Sequence, residues 1–130
     1  MNQPQLYDYL ESARQPILER AGTLDDAAFR RALSLGPGSL ARTLTHLLIS
    51  EWYYIQRITG AAVPAYEEWP IRDDAPLACP ALVSTWARQA EATRAAIGGV
   101  DDWERPLMYR LIDEDGRHWE VETTAARLFM

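Results

Sequence analysis

Four side chains in this sequence have the type and setting for chemistry: His46, Glu51, His118 and Cys79. His46 falls with Arg42, Thr43, Ser50 and Arg57 on one face of a helical repeat, opposite a stripe of leucines and isoleucines. Such a histidine is either part of a solvated polar strip or faces a polar cleft, where neutral imidazole ligates a divalent ion. One histidine cannot hold a metal alone. Glu51, five positions on, is opposite in character, because the same repeat sets its carboxylate within the apolar stripe. An ion there is costly unless paired. Either an Arg from the first or third long helix bridges to it, or it is an acid or base with a raised pKa. Trp52, Tyr53 and Tyr54 read as core and interface aromatics, and His118 as an edge or surface residue beside Trp119. Cys79 is the only cysteine, which rules out an internal disulfide and a thiolate metal cluster. The sequence has no Gly-rich phosphate loop, Gly-x-Ser-x-Gly elbow, His-Glu-x-x-His or Cys-His nucleophile spacing, so nucleophilic catalysis lacks a candidate.

The elements that must position these residues are legible from period and punctuation. Leu6, Leu10, Ala13, Ile17 and Leu24 recur at helical spacing, predicting a helix over residues 3–21 with this stripe inward and a kink or break at Pro16. Gly22 ends it, and Thr23 with Asp25 and Asp26 opens a short helix through Arg31. Ser39 caps and Gly60 terminates a second long helix with Leu40, Leu44, Leu47, Leu48, Ile55 and Ile58 buried. Residues 61–80 form a proline-rich linker that Tyr66 and Trp69 pin across the bundle. Pro80 starts a third long helix to Ile97, with Leu82, Trp86, Ala90, Thr93 and Ile97 inward and Gly98-Gly99 after it. A hairpin follows, with strands over 106–112 and 117–121 around Asp113-Glu114-Asp115-Gly116, and Thr123 or Thr124 then caps a last helix beginning at Ala125.

Together these elements predict one all-α domain over residues 1–130, an up-and-down antiparallel four-helix bundle with a small hairpin before an incomplete fourth helix. Eight residues of fourth helix make only about 12 Å, so apolar surface stays open unless a second copy covers it. Either the sequence is a fragment, or it oligomerises through that groove, as a homodimer. The net charge of −6, from 19 acids and 13 bases, argues against nucleic acid and anionic membranes as partners. No apolar run reaches the roughly 20 residues that span a bilayer, and no targeting segment precedes the first helix. With the lone cysteine, this points to the cytoplasm.

The order of these motifs resembles one family. Tyr9-Leu10-Glu11-Ser12-Ala13-Arg14, Gly38 to Leu48 leading to Glu51-Trp52, the Trp-containing linker and the hairpin before Thr123-Thr124 together resemble the DinB/YfiT-like family along nearly the whole chain. The resemblance implies a bundle, often dimeric, holding a divalent metal, usually zinc or nickel, through three histidines at one end. It implies that His46 is one ligand. The other two belong to a His-x-x-x-His pair after the segment matching Leu128-Phe129-Met130, so the expected triad is incomplete within this sequence. Members resemble thiol-dependent transferases or metal-dependent hydrolases acting on small molecules. The alternative is a non-catalytic bundle that dimerises through its open groove.

Overall fold

The computed structural model describes residues 1–34 and 36–130. It is mostly helical: α1 (Gln3–Ala21), α2 (Asp26–Phe29), α3 (Leu40–Thr59), α4 (Cys79–Gly98) and α5 (Ala125–Phe129), with one two-stranded antiparallel hairpin, β1 (Pro106–Ile112) and β2 (His118–Thr124). Asn2 and Gln5 form a reciprocal capping box at the start of α1. Pro16 does not break α1, because it lies on the exposed side, where water can take the place of the lost backbone bond. The α2 cap is Asp25 rather than Thr23, its side chain accepting from Ala28 N.

Both ends of α3 follow the sequence. Ser39 Oγ accepts from Arg42 N at 3.0 Å, and Gly60 ends the helix at φ 76°, a left-handed conformation that a Cβ disfavours. Replacing the cap by Ser39→Ala is expected to cost about 1 kcal/mol. A fall in the urea midpoint with an unchanged slope would show it, and no shift would remove Ser39 from the helix's start signal.

Three clusters make the core. Leu18, Ala21, Phe29, Ala41, Leu44, Leu48, Cys79, Leu82 and Trp86 fill one end; Ile55, Ile58 and Ala125 fill the other, with Ala96 and Val100 against them. Tyr7, Ala90 and Ile97 form a third, flanked by Trp103 and Phe129. These contacts correct the expected topology. The starts of α3 and α4 share one cluster and their ends meet in another, so the two helices run parallel, and α1 runs against both. Alternating up-and-down order fails because the connection over residues 60–78 carries the chain back to the end where α3 began, with Leu77 N donating to Thr45 Oγ1 at 3.2 Å. The short α5 also lies against α3 at its Ile55–Ile58 end, fixed by Ala126 N donating to Trp103 O. Among the described residues there is no fourth long helix.

The inward face of α1 is also corrected. Tyr7, Leu18 and Ala21 are buried with Arg14 beside them, whereas Leu6, Leu10, Ala13, Ile17 and Leu24 stay exposed. At about 100° per residue the two stripes are centred roughly 80° apart. Polar partners decide the choice, since Tyr7 and Arg14 both reach Glu51 of α3, while Asp8 and Glu11 on the next flank pair with Arg94 of α4. The aliphatic stripe is left on the flank away from Arg94.

β1 and β2 pair from Pro106 with Thr124 to Ile112 with His118, so β2 begins and ends later than the spacing predicts. Arg57 fastens the hairpin to α3, its guanidinium 5.0 Å from the Tyr53 ring and 4.2 Å from the Tyr109 ring, with Nη2 donating to Arg110 O.

Candidate functional site

His46 stands on the outer flank of α3, with its side chain 55% exposed. The residue it meets was unremarkable in the sequence. Asp73, from the linker, brings Oδ2 to 3.7 Å from His46 Nδ1, and its Oδ1 accepts from the Tyr66 hydroxyl. That hydrogen bond from Tyr66, with lesser help from the charges of His46 and Arg42, holds the Asp73 carboxyl below its ordinary range, against a smaller opposing effect of burial. Tyr66 is pushed up correspondingly, chiefly by the same bond.

The linker is held in register by aromatic contacts. Trp69 packs 5.4 Å from Trp52, 5.6 Å from Tyr53 and 5.0 Å from Tyr66, ring centre to ring centre, and its Nε1 donates to Pro64 O. Trp52 and Tyr53 are therefore the floor on which the linker lies, and Tyr54 is exposed beside them. Asp73 could have been found only by knowing that Trp69 folds the linker back onto α3. A Tyr-to-Asp spacing of seven within a loop has no local signature.

Glu51 sits elsewhere, at the junction of α1, α3 and α4, and takes its bridging Arg from α1. Arg14 Nη1 donates to Oε1 at 3.1 Å, with both side chains 12% exposed, and the Arg14 guanidinium lies 4.4 Å over the Trp86 ring. Tyr7 Oη and Thr93 Oγ1 donate to Oε2 at 2.9 and 2.8 Å, and Trp86 Nε1 approaches Oε1 at 3.4 Å. Burial pushes the Tyr7 hydroxyl above its ordinary pKa. With three helices donating to or packed around one carboxylate, Glu51 is a structural hub. Arg14 had a signal in the sequence, the repeat of Tyr7, Arg14, Leu18 and Ala21 at seven, four and three.

Tyr7 and Arg14 meet Glu51 along a seam between α1 and α3, and exposed apolar side chains border it. Leu10 and Ile17 flank Arg14 at 52% and 53% exposure, while Leu47 and Tyr54, one turn either side of Glu51, are exposed at 51% and 42%. Leu47, expected inside, lies out on this border. His46 is its neighbour in sequence. His118 is exposed at the start of β2, and Cys79 is buried in the core.

Three imidazoles do not come together here. Among the described residues no group of three or more His, Cys, Asp or Glu side chains lies close enough to hold a metal ion, and His46 has only Asp73 within ion-pair distance. The donor set present does not make the centre the resemblance implies. Nor is any helix of the described chain long and apolar enough to cross a membrane.

A helical fold of this order, with a histidine on the outer flank of its second long helix, defines a class. The model of the DinB superfamily matches residues 9–129, and the chain belongs to that superfamily. No curated relative and no solved structure matched the chain.

Proposed function

We propose that this DinB-like chain serves as a metal-dependent hydrolase or thiol-dependent transferase in which His46 is one imidazole ligand, the others coming from a helix seated along the α1–α3 seam. The observation that supports this reading is a side-chain pair and its setting: an imidazole with a carboxylate at its Nδ1, beside an uncovered apolar seat. A carboxylate behind a ligating histidine is the usual outer partner of such a ligand. The expected metal is zinc or nickel, and the substrate a small molecule.

The test is a titration with zinc or nickel in the presence of an amphipathic helical peptide carrying His-x-x-x-His. The expected result is stoichiometric uptake, with His46→Ala lowering affinity by roughly 10²–10⁴-fold, about one of three ligands' share of a site worth about 10–16 kcal/mol. Equal uptake by the wild-type chain and His46→Ala would overturn the assignment.

A second reading is favoured by the exposed stripe itself: a non-catalytic scaffold whose seam is covered by a second copy, forming a homodimer. Absence of metal binding together with a tight dimer would select it.

A further inference from the structure

We propose that Asp73, backed by Tyr66, is a positioning residue that fixes the His46 imidazole in the tautomer with its proton on Nδ1 and its lone pair on Nε2. This deepens the reading above and rests on its assignment of His46 as a ligating imidazole, but it concerns the chain's own residues and holds whether a proton or a divalent cation meets Nε2.

The argument is geometric. A carboxylate is ionised at neutral pH, and Asp73 Oδ2 stands 3.7 Å from Nδ1, so a lone pair on Nδ1 would face a negative oxygen while an N–H would point its positive end at it. At that separation the contact is electrostatic rather than a full hydrogen bond. It nevertheless favours one tautomer, because free histidine in water has only a small preference, for the other nitrogen. Asp73 is itself held: its second oxygen accepts from the Tyr66 hydroxyl, and Tyr66 is locked by Trp69, which packs on Trp52 and Tyr53 of α3. The chain of contacts therefore begins and ends on α3, and it sets Asp73 against a histidine of the same helix. The neighbouring groups are Arg42, one turn before His46 and close enough to act on Asp73 by charge, and Ser50, which donates to His46 O at 3.0 Å and leaves the imidazole nitrogens free. Asp74 belongs to a separate pair with Arg72 at 3.3 Å.

The experiment is two-bond ¹H–¹⁵N correlation on the metal-free chain, at a pH where the imidazole is neutral, in a His118→Asn background so that His46 gives the only signal. The expected spectrum has a pyrrole-type Nδ1 and a pyridine-type Nε2. Asp73→Ala should reverse the majority to the Nε2–H form, Tyr66→Phe should move it part of the way, and Asp74→Ala should leave it in place. A merely structural role for Asp73 would lower the melting temperature without moving the nitrogen shifts. A wild-type spectrum already dominated by Nε2–H, no response to Asp73→Ala, or an equal response to Asp74→Ala would each overturn the proposal. An unmoved Tyr66→Phe spectrum would overturn the part given to Tyr66. Since no metal is present, failure of the metal-binding reading leaves this result unaffected, and the reverse also holds.

Discussion

Glu51→Ala is expected to destabilise the fold by about 3–5 kcal/mol, the range for removing one partner of a buried ion pair. The effect is large because four donors are orphaned at once. Arg14 would keep its charge at 12% side-chain exposure with no carboxylate, and Tyr7, Thr93 and Trp86 would lose the oxygen they approach from 2.8 to 3.4 Å. Among the described residues, Thr93 would retain its contact from Gln89 Nε2. For a chain of this length the loss corresponds to a fall in melting temperature of roughly 10 °C or more.

Two further variants separate charge from contact. Glu51→Gln keeps the shape but offers one acceptor oxygen and a new donor, so its cost should be smaller, about 1–3 kcal/mol. Arg14→Met combined with Glu51→Gln removes the unpaired cation and should be less destabilised than the sum of the single changes, a coupling of about 0.5–3 kcal/mol. Urea unfolding followed by far-UV circular dichroism measures the wild type, Glu51→Ala, Glu51→Gln, Arg14→Met and the double variant. If Glu51→Ala loses less than about 1 kcal/mol, the hub is not what joins α1 to α3 and α4, and a catalytic role for Glu51 returns to consideration.

How much of this could be read from the sequence differs by element. The α3 and α4 helices were legible because each has a start signal, a stop and an unbroken apolar repeat; all five positions named for the inner face of α4 are buried. On α1 the repeat was real but its burial was not, because two stripes compete and period alone has no means to weigh an aliphatic stripe against a polar one that finds a partner. That Glu51 pairs with an Arg of the first or third long helix followed from one argument, that a charge in an apolar stripe must be matched, but the choice of Arg14 on α1 did not. The parallel course of α3 and α4 was hidden because direction depends on where the long connection returns, which prolines and loop length do not encode. Asp73 was missed for a related reason: Tyr66 and Trp69 marked the linker as lying across the bundle, but which of its side chains reaches His46 depends on tertiary folding.

Leu10→Glu with Ile17→Glu is expected to abolish self-association of the chain while leaving its fold stable. In the single chain both side chains are more than half exposed, so each substitution should change stability by no more than about 0.5 kcal/mol. In an assembly that covers the seam the same residues would be buried, and since about half of each is already covered, each transfer is worth about 0.8–1.5 kcal/mol, counted in both copies of a dimer. Together they amount to about 3–6 kcal/mol, or roughly 10²–10⁴ in the association constant, before any cost of burying the new carboxylates. Leu47 on the opposite border supplies an independent check, since Leu47→Glu should weaken association from the α3 side without touching α1. The exposed stripe argues for self-association when no other helix is supplied, because Leu10 and Ile17 on α1 and Leu47 and Tyr54 on α3 are all exposed beside the Glu51 contacts. Sedimentation equilibrium of the wild-type chain and the variants reads the outcome. A wild-type chain that stays monomeric at millimolar concentration would exclude a second copy as the covering partner. An assembly that survives both sets of substitutions would put the interface elsewhere on the molecule and leave the seam free for a different helix.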